Sequence, residues 1–146
     1  MTLYVIDTDI AGFALRKHGG VLKRLRELSA EDQVVTTIIT FGEDLGGWLP
    51  ACRRAEDGPA REAAYARLQR GLEFYRRWVC LPFDSAAAAI FDRLRAQKLR
   101  LGTNDLAIAA ITLSVGGVLV TRNTVDFECS ASYDRGLVTT LSAPQV

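Results

Sequence analysis

The sequence has few of the side chains on which several common kinds of site are built. It contains one histidine, His18, and its three cysteines, Cys52, Cys80 and Cys129, lie far apart without a CxxC pair. Zinc sites and disulfide frameworks are therefore not indicated, and a Ser–His or Cys–His nucleophile system has only His18 to draw on. Because His18 ends a basic run just before a glycine pair, we interpret it as a cation at a helix C-terminus.

Long hydrophobic runs and phosphate-binding loops are also missing from the sequence. The longest apolar runs, at 86–91 and 106–113, fall well short of the roughly 20 residues that span a bilayer. No basic segment leads into an apolar stretch at the N-terminus, and neither GxGxxG nor GxxxxGK[ST] occurs. We therefore expect no membrane association, no export signal and a cytoplasmic location.

What the sequence does have is the composition of one globular domain. Hydrophobic residues make up 49% and charged residues 24% of the 146 residues, which suits one substantial core and not two ordinary domains. We predict a single domain over residues 1–146. The 18 basic and 17 acidic side chains give a net charge of +1, so charge alone favours neither nucleic acid nor membrane as a partner.

Alternating strand and helix signals predict the fold class. Short β-prone runs occupy residues 3–6, 34–38, 79–81 and 118–121, with a candidate edge strand at 137–139. Helices are predicted at 9–17, 21–28, 41–54, from 59 onward, at 85–98 and from 105 to a glycine pair at 116–117. Strands separated by helical crossovers indicate an α/β fold, a three-layer α/β/α sandwich with a mainly parallel central sheet.

Residue spacing also predicts how some of these helices pack. The helix from residue 59 has an apolar face at Leu68, Leu72, Tyr75 and Val79. The Gly46-Gly47 and Gly116-Gly117 pairs are interpreted as packing and stop signals. Trp48 and Trp78 are expected in the core or at an interface.

Four acidic residues fall where such a sheet places its ligand site. Ligands of open α/β sheets bind beyond the carboxyl ends of the strands, and this region receives Asp7, Glu43, Asp105 and Asp126. Unpaired acids brought together repel one another, and a bound cation keeps them ionised. Because the set contains no histidine or cysteine, the favoured ions are Mg²⁺ and Mn²⁺.

Each acid also has a purely structural explanation. Asp7 and Asp105 suit helix N-caps, Glu43 suits a first helical turn, and Asp126 suits a loop. Capping does not explain why all four lie at one end of the sheet. The flanking polar residues would hold the acids by hydrogen bonds; they are Thr8, Asp9, Asn104, Thr121 and Asn123.

Four segments of the sequence carry a resemblance to one enzyme family. They are VIDTD at 5–9, TFGE at 40–43, GTNDLAIAA at 102–110 and LVTRNTVDF at 119–127. In order and separation they resemble PIN-domain ribonucleases, in particular the VapC toxins of bacterial and archaeal toxin–antitoxin pairs. The likeness covers nearly the whole chain, and the stretch from 102 to 127 is its most specific part.

The resemblance implies a PIN-like sandwich that cleaves RNA with Mg²⁺ or Mn²⁺ and is occluded by a cognate VapB-like antitoxin. The family's acidic residues carry over onto the four acids named above, as metal ligands and catalytic groups. Asp9 stands where the family often has Asn, and the family's last acid is sometimes found at the place of Asn123. Homodimerisation is expected on the same grounds.

The resulting hypothesis is metal-assisted hydrolysis of RNA phosphodiester bonds. Asp7 and Asp105 are expected to be the principal ligands of one or two ions, with Glu43 as ligand or water-orienting base and Asp126 completing the site. Arginines outside the cleft would contact flanking phosphates. The candidates are Arg53, Arg54, Arg93, Arg95, Arg100 and Arg122.

Three other functions fit parts of the sequence. VIDTD also resembles the nucleophile motif of haloacid-dehalogenase-like phosphohydrolases, in which Asp7 would attack phosphorus, but Lys98 is the only late lysine and no GDxxxD follows it. A non-enzymatic PIN-like scaffold would not need all four acids. A PIN nuclease that processes RNA without being a toxin is harder to separate, although the small size favours the toxin.

Overall fold

Among the residues that the structure describes, five parallel strands form one central sheet. In the computed structural model, which describes residues 1–122 and 138–140, the strands are β1 (Leu3–Ile6), β2 (Gln33–Thr37), β3 (Cys80–Leu81), β4 (Val118–Thr121) and β5 (Val138–Thr140). They lie in the order β3-β2-β1-β4-β5, and each neighbouring pair is parallel. The predicted parallel sheet is confirmed, and its edge strand β5 lies one residue later than expected.

Helices connect the strands in the described part of the chain. They are α1 (Thr8–Leu15), α2 (Gly19–Arg26), α3 (Ile38–Arg54), α4 (Gly58–Tyr75), α5 (Ser85–Ala96) and α6 (Thr103–Ser114). Each predicted helix is present, and α3 begins three residues earlier than expected because Thr37 caps it by accepting a hydrogen bond from the Thr40 N–H. None of these helices has both the length and the apolar character that a bilayer span requires.

Alternating side chains of the sheet divide the core into two layers. On one face Leu119 packs with Leu94 of α5 and Ile108 of α6, and on the other Val120 packs with residues of β1 and α1. Helix α6 is buried over residues 106–112, as its all-round apolar sequence predicts. Because successive strand side chains point to opposite faces, the sheet is covered on both, and the α/β/α sandwich is confirmed.

The junction between α1 and α2 differs from the prediction. Lys17 takes a left-handed conformation with a φ of 56°, and His18 both donates its backbone N–H to the Phe13 carbonyl and forms the N-cap of α2. Gly19 therefore begins α2 instead of ending α1. His18 lies between two helix ends of opposite polarity, which removes the dipole argument for a C-terminal cation.

The two glycine pairs have different roles. Gly116 has a φ of 62°, and a Cβ on Gly117 would lie 3.1 Å from the Leu3 carbonyl oxygen, so this pair forms the turn into β4 and lets it approach β1. The predicted stop and packing roles are confirmed there. At Gly46 and Gly47 an added Cβ meets no atom of the described residues within 4 Å, so that part of the chain gives the pair no packing role.

Helix α4 packs against α3 through a contact that the apolar periodicity does not reveal. Two residues of its predicted apolar face are exposed, Leu72 by 47% and Val79 by 61%, and that part of the prediction is wrong. The buried face of α4 instead contains Gly71 and Tyr75, and the buried Trp48 ring of α3 lies directly over Gly71. A glycine does not register as apolar in a sequence pattern, although here it gives the Trp48 ring the room to pack on α4.

We predict that Gly71→Ala destabilises the protein. The added Cβ would lie 2.2 Å from Trp48 Cζ3, and displacing a buried indole costs about 1–3 kcal/mol. Gly47→Ala in α3 is the matched control, since its Cβ enters open space and alanine favours a helix by roughly 0.5–1 kcal/mol. Urea unfolding of both variants checks this, and equal free energies of unfolding would contradict it.

Candidate active site

Asp7 lies at the carboxyl end of β1, held by the backbone of the neighbouring strand β4 and of helix α1. Its backbone N–H donates to the Val120 carbonyl of β4 over 3.1 Å. Its carboxylate accepts a 2.9 Å hydrogen bond from the Ile10 N–H, which makes Asp7 the N-cap of α1. The Thr121 hydroxyl at the end of β4 also donates to this carboxylate. The structural explanation of Asp7 as a helix cap is therefore correct. The same hydrogen bond also fixes its carboxylate at the sheet edge, where only 6% of the residue is exposed.

Burial and neighbouring acids change the acidity of Asp7. Loss of hydration and, to a smaller extent, the charges of Asp9 and Asp105 raise its pKa from 3.8 to about 6, against the opposing effect of the hydrogen bonds from Thr121 and Ile10. A buried carboxylate beside other carboxylates is stabilised in its ionised form by a nearby cation. The environment of Asp7 therefore favours cation binding.

Asp105 reaches the same edge from α6. It is the third residue of that helix, whose N-cap is Gly102, so the capping explanation does not apply to it. Asp105 is half-buried, and its charge acts on the Asp7 carboxyl. The structure thus brings together two of the four predicted acids, although they are 98 positions apart in the sequence.

Glu43 is tied to this region by one hydrogen bond. The Thr8 hydroxyl, adjacent to Asp7, donates to Glu43 Oε1 over 2.7 Å. Glu43 lies in the second turn of α3, beyond the first-turn position at which the helix dipole favours an acid. Together with the bond from Thr121 to Asp7, this contact confirms that flanking threonines hold the acids.

A second acid of α3, which the sequence reasoning missed, fixes the helix that carries Glu43. The Tyr75 hydroxyl donates to Asp44 Oδ2 over 2.5 Å, and burial raises the pKa of both groups. This bond locks α4 onto α3 next to Glu43. Asp44 and Tyr75 are 31 positions apart, and no local pattern pairs them.

The donor chemistry of the edge suits Mg²⁺ or Mn²⁺, since the acids there offer oxygen alone. Asp126 and Asn123 lie outside the described residues. Among residues 1–122 and 138–140, no group of three or more histidine, cysteine or acidic side chains lies close enough to hold a metal ion. At this edge the described residues provide Asp7 with Asp105 as its acidic neighbour, and Glu43 held by Thr8.

We predict that Asp7 makes the metal-free protein less stable as pH rises from about 4 to about 6. The unfolded carboxyl ionises near its usual pKa of 3.8 and the folded one near 6, so the unfolded state releases its proton first and gains stability across that window. Asp7→Asn keeps a capping side chain and should be about 2–3 kcal/mol more stable at pH 7.

Urea unfolding in chelator at pH 4 and pH 7 measures this difference. Asp57→Asn is the control, because Asp57 caps α4 by accepting from the Ala60 N–H at an exposed position. Parallel pH profiles for wild type and Asp7→Asn would contradict the prediction.

Known proteins share both the sequence pattern and the fold. A ribonuclease from Haemophilus influenzae, VapC1, is 26% identical over 127 residues, covering 86% of this chain and 90% of that protein. Chains of two solved structures are similar. One is VapBC2 from Rickettsia felis, bound to a DNA fragment from its promoter, with 21% identity, a TM-score of 0.74 and coverage of 95% of this chain and 98% of that one. The other is DNA-bound VapBC from Salmonella typhimurium, with 25% identity, a TM-score of 0.70 and coverage of 97% and 99%.

The family assignment follows from the length of the match and from the fold. The model of the PIN domain matches residues 4–128, a span that includes β4, all but the first residue of β1, and all four predicted acids. The parallel sheet, with Asp7 and Asp105 at its carboxyl edge, is in keeping with that match. The chain belongs to the PIN domain family.

Proposed function

We propose that this PIN domain is a metal-dependent endoribonuclease and the toxin of a VapBC-type toxin–antitoxin pair. The observation that carries the proposal is the buried Asp7 carboxylate at the sheet edge, with Asp105 acting on it and Glu43 held through Thr8. The relative named Ribonuclease VapC1 supports RNA as the substrate. The similar chains in VapBC structures support an antitoxin as the partner.

The proposed roles follow from where the residues lie. Asp7 and Asp105 would hold Mg²⁺ or Mn²⁺, with Glu43 as a further ligand or as the group that orients a water, and Asp126 completing the set. When bound, the ion supplies positive charge between the carboxylates and the phosphate, and Lewis acidity for hydrolysis. Thr121 and the Ile10 N–H fix the Asp7 carboxylate, so its orientation is set before substrate arrives. In the net reaction water adds to phosphorus and the 3′ oxygen departs.

The family match favours this proposal over a haloacid-dehalogenase-like phosphohydrolase. In that alternative Asp7 would be an exposed nucleophile with its own partner lysine. Here only 6% of residue Asp7 is exposed, and its carboxylate accepts hydrogen bonds from a helix N-terminus and from Thr121. These bonds suit a fixed ligand better than a group that must move to attack.

An antitoxin that blocks this site must neutralise acidic groups. We propose that its inhibitory segment carries an arginine or lysine together with apolar anchors. The homodimer stays a prediction of the family resemblance.

We predict that Asp105→Asn and Asp7→Asn each lower the rate of RNA cleavage by more than about 100-fold, beyond the loss typical of residues that only support metal ligands. Both changes keep side-chain size and remove one charge. Asp92→Asn on α5 is the control, since Asp92 is exposed. The measurement is cleavage of a labelled RNA by purified protein with Mn²⁺ or Mg²⁺, and with chelator. Wild-type rates in Asp105→Asn would overturn the ligand assignment.

We also predict that Mn²⁺ raises the melting temperature of the wild type and not of Asp7→Asn. A ligand at 100 times its dissociation constant stabilises the folded state by about 2.7 kcal/mol. Thermal unfolding of both proteins with and without Mn²⁺ measures the difference. An equal shift in the two would mean that the ion binds elsewhere.

The toxin role is tested separately from the nuclease activity. We expect induced expression to arrest growth, and co-expression of the neighbouring small open reading frame to relieve the arrest. Sequencing of RNA ends after brief induction, with Asp7→Asn as the inactive comparison, reports the target. Harmless expression of an active nuclease would favour an RNA-processing enzyme instead.

A further inference from the structure

A cationic cluster is built around one aromatic ring on α1. The guanidinium carbon of Arg16 lies 5.1 Å from the centroid of the Phe13 ring, and that of Arg122 lies 5.2 Å from the same centroid. Both distances are within the range of a cation–π contact. We call Phe13, Arg16 and Arg122 the Phe13 cluster. The ring is half-buried against the core layer below α1, whereas both arginines are exposed.

The Phe13 cluster lies beside the acidic edge of the sheet. Arg122 directly follows Thr121, whose hydroxyl bonds to Asp7. The Arg16 side chain turns back along α1, and its Nη1 lies 3.3 Å from where a Cβ on Gly12 would be. The guanidinium therefore points towards the half of α1 that begins at Asp7, and glycine at position 12 gives it room.

Arg16 and Arg122 have guanidinium N–H groups that no close ion pair uses in the described part of the chain. There, the carboxylate–cation contact within 4 Å is the one between Lys23 and Glu27, so no described carboxylate forms a close ion pair with Arg16 or Arg122, although the charge of Arg16 acts on the Asp44 carboxyl over a longer distance. An arginine stacked on a ring uses its face, and its N–H groups remain directed outward at the edge. That arrangement suits two-point binding of a phosphate group.

We propose that the Phe13 cluster binds an RNA phosphate next to the scissile one, a role that rests on the proposed ribonuclease function. A polyanion approaching the acidic edge is repelled by carboxylates, and the cluster places two fixed positive charges beside them. Stacking on Phe13 limits the motion of both side chains, so less conformational entropy is lost when they bind. Arg16 was not among the phosphate contacts expected from the sequence.

Other arginines suggested by the sequence are less well placed for this contact. Arg53 and Arg54 lie in the last turn of α3, roughly 15 Å along the helix axis from Glu43 at 1.5 Å per residue. They are exposed, and no ring contact among the described residues holds their side chains, whereas the Arg16 side chain is stacked on Phe13 and turned back along α1.

Binding without cleavage isolates the cluster from the catalytic step. We expect Arg16→Gln and Arg122→Gln each to weaken binding of a fluorescein-labelled single-stranded RNA in chelator, and to reduce the slope of log affinity against log salt by about 0.7, the value of one lost phosphate contact. Arg16→Lys should retain the slope. Phe13→Leu keeps both charges, so it should weaken binding without changing the slope.

Arg61→Gln is the matched control, because Arg61 also lies over a ring, 5.6 Å from the centroid of Tyr65 on the exposed part of α4. Melting temperatures verify that each variant is folded. If both glutamine variants keep the salt slope of Arg61→Gln while the wild type binds and cuts RNA, the cluster proposal is overturned and the nuclease proposal stands. If Arg16→Gln and Arg122→Gln instead bind RNA normally and lose only the binding of an acidic segment of a partner protein, the cluster proposal is likewise overturned. If the wild type neither binds nor cuts any RNA, the proposed ribonuclease function itself is contradicted.

Discussion

The hydrogen bond from the Asp7 N–H to the Val120 carbonyl is the constraint on which the site depends. It joins the carboxyl ends of β1 and β4, so a carboxylate that follows one strand lies beside the polar residues that follow the other. In a parallel sheet the carboxyl ends of all strands lie at the same edge, so the residues that follow β1 and β4 lie close together. Burial then removes water from Asp7 and raises its pKa to about 6, which makes the edge favourable for a cation.

The rest of the molecule keeps this edge in place from two sides. Helix α6 packs along its length into one core layer, and its first turn carries Asp105 to the edge. Helix α3 is held by α4 through Trp48 over Gly71 and through the bond from Tyr75 to Asp44, and these contacts position Glu43. Contacts far from the acids therefore decide how they are arranged, since a packed interior transmits small displacements.

Charge is distributed so that opposite signs lie side by side at the same edge. In the proposed function the acids would attract a metal and repel RNA, and the arginines stacked on Phe13 would offset that repulsion. Membership of the PIN domain family fixes the fold. The substrate and the partner depend on surface residues outside the shared motifs, which is why these are the parts that need direct tests.

The sequence alone determined the order of strands and helices, the burial of α6 and the segments at whose ends the acids lie, because periodicity, caps and turn residues are local signals. It could not determine which distant side chains meet. Three contacts join residues that are far apart in the chain: Asp44 bonds to Tyr75, Trp48 packs on Gly71, and Arg122 stacks on Phe13. Leu72 belongs to the predicted apolar face of α4 and is nevertheless exposed. An apolar pattern shows which side chains a helix could bury, and the element that packs against the helix decides which of them are buried.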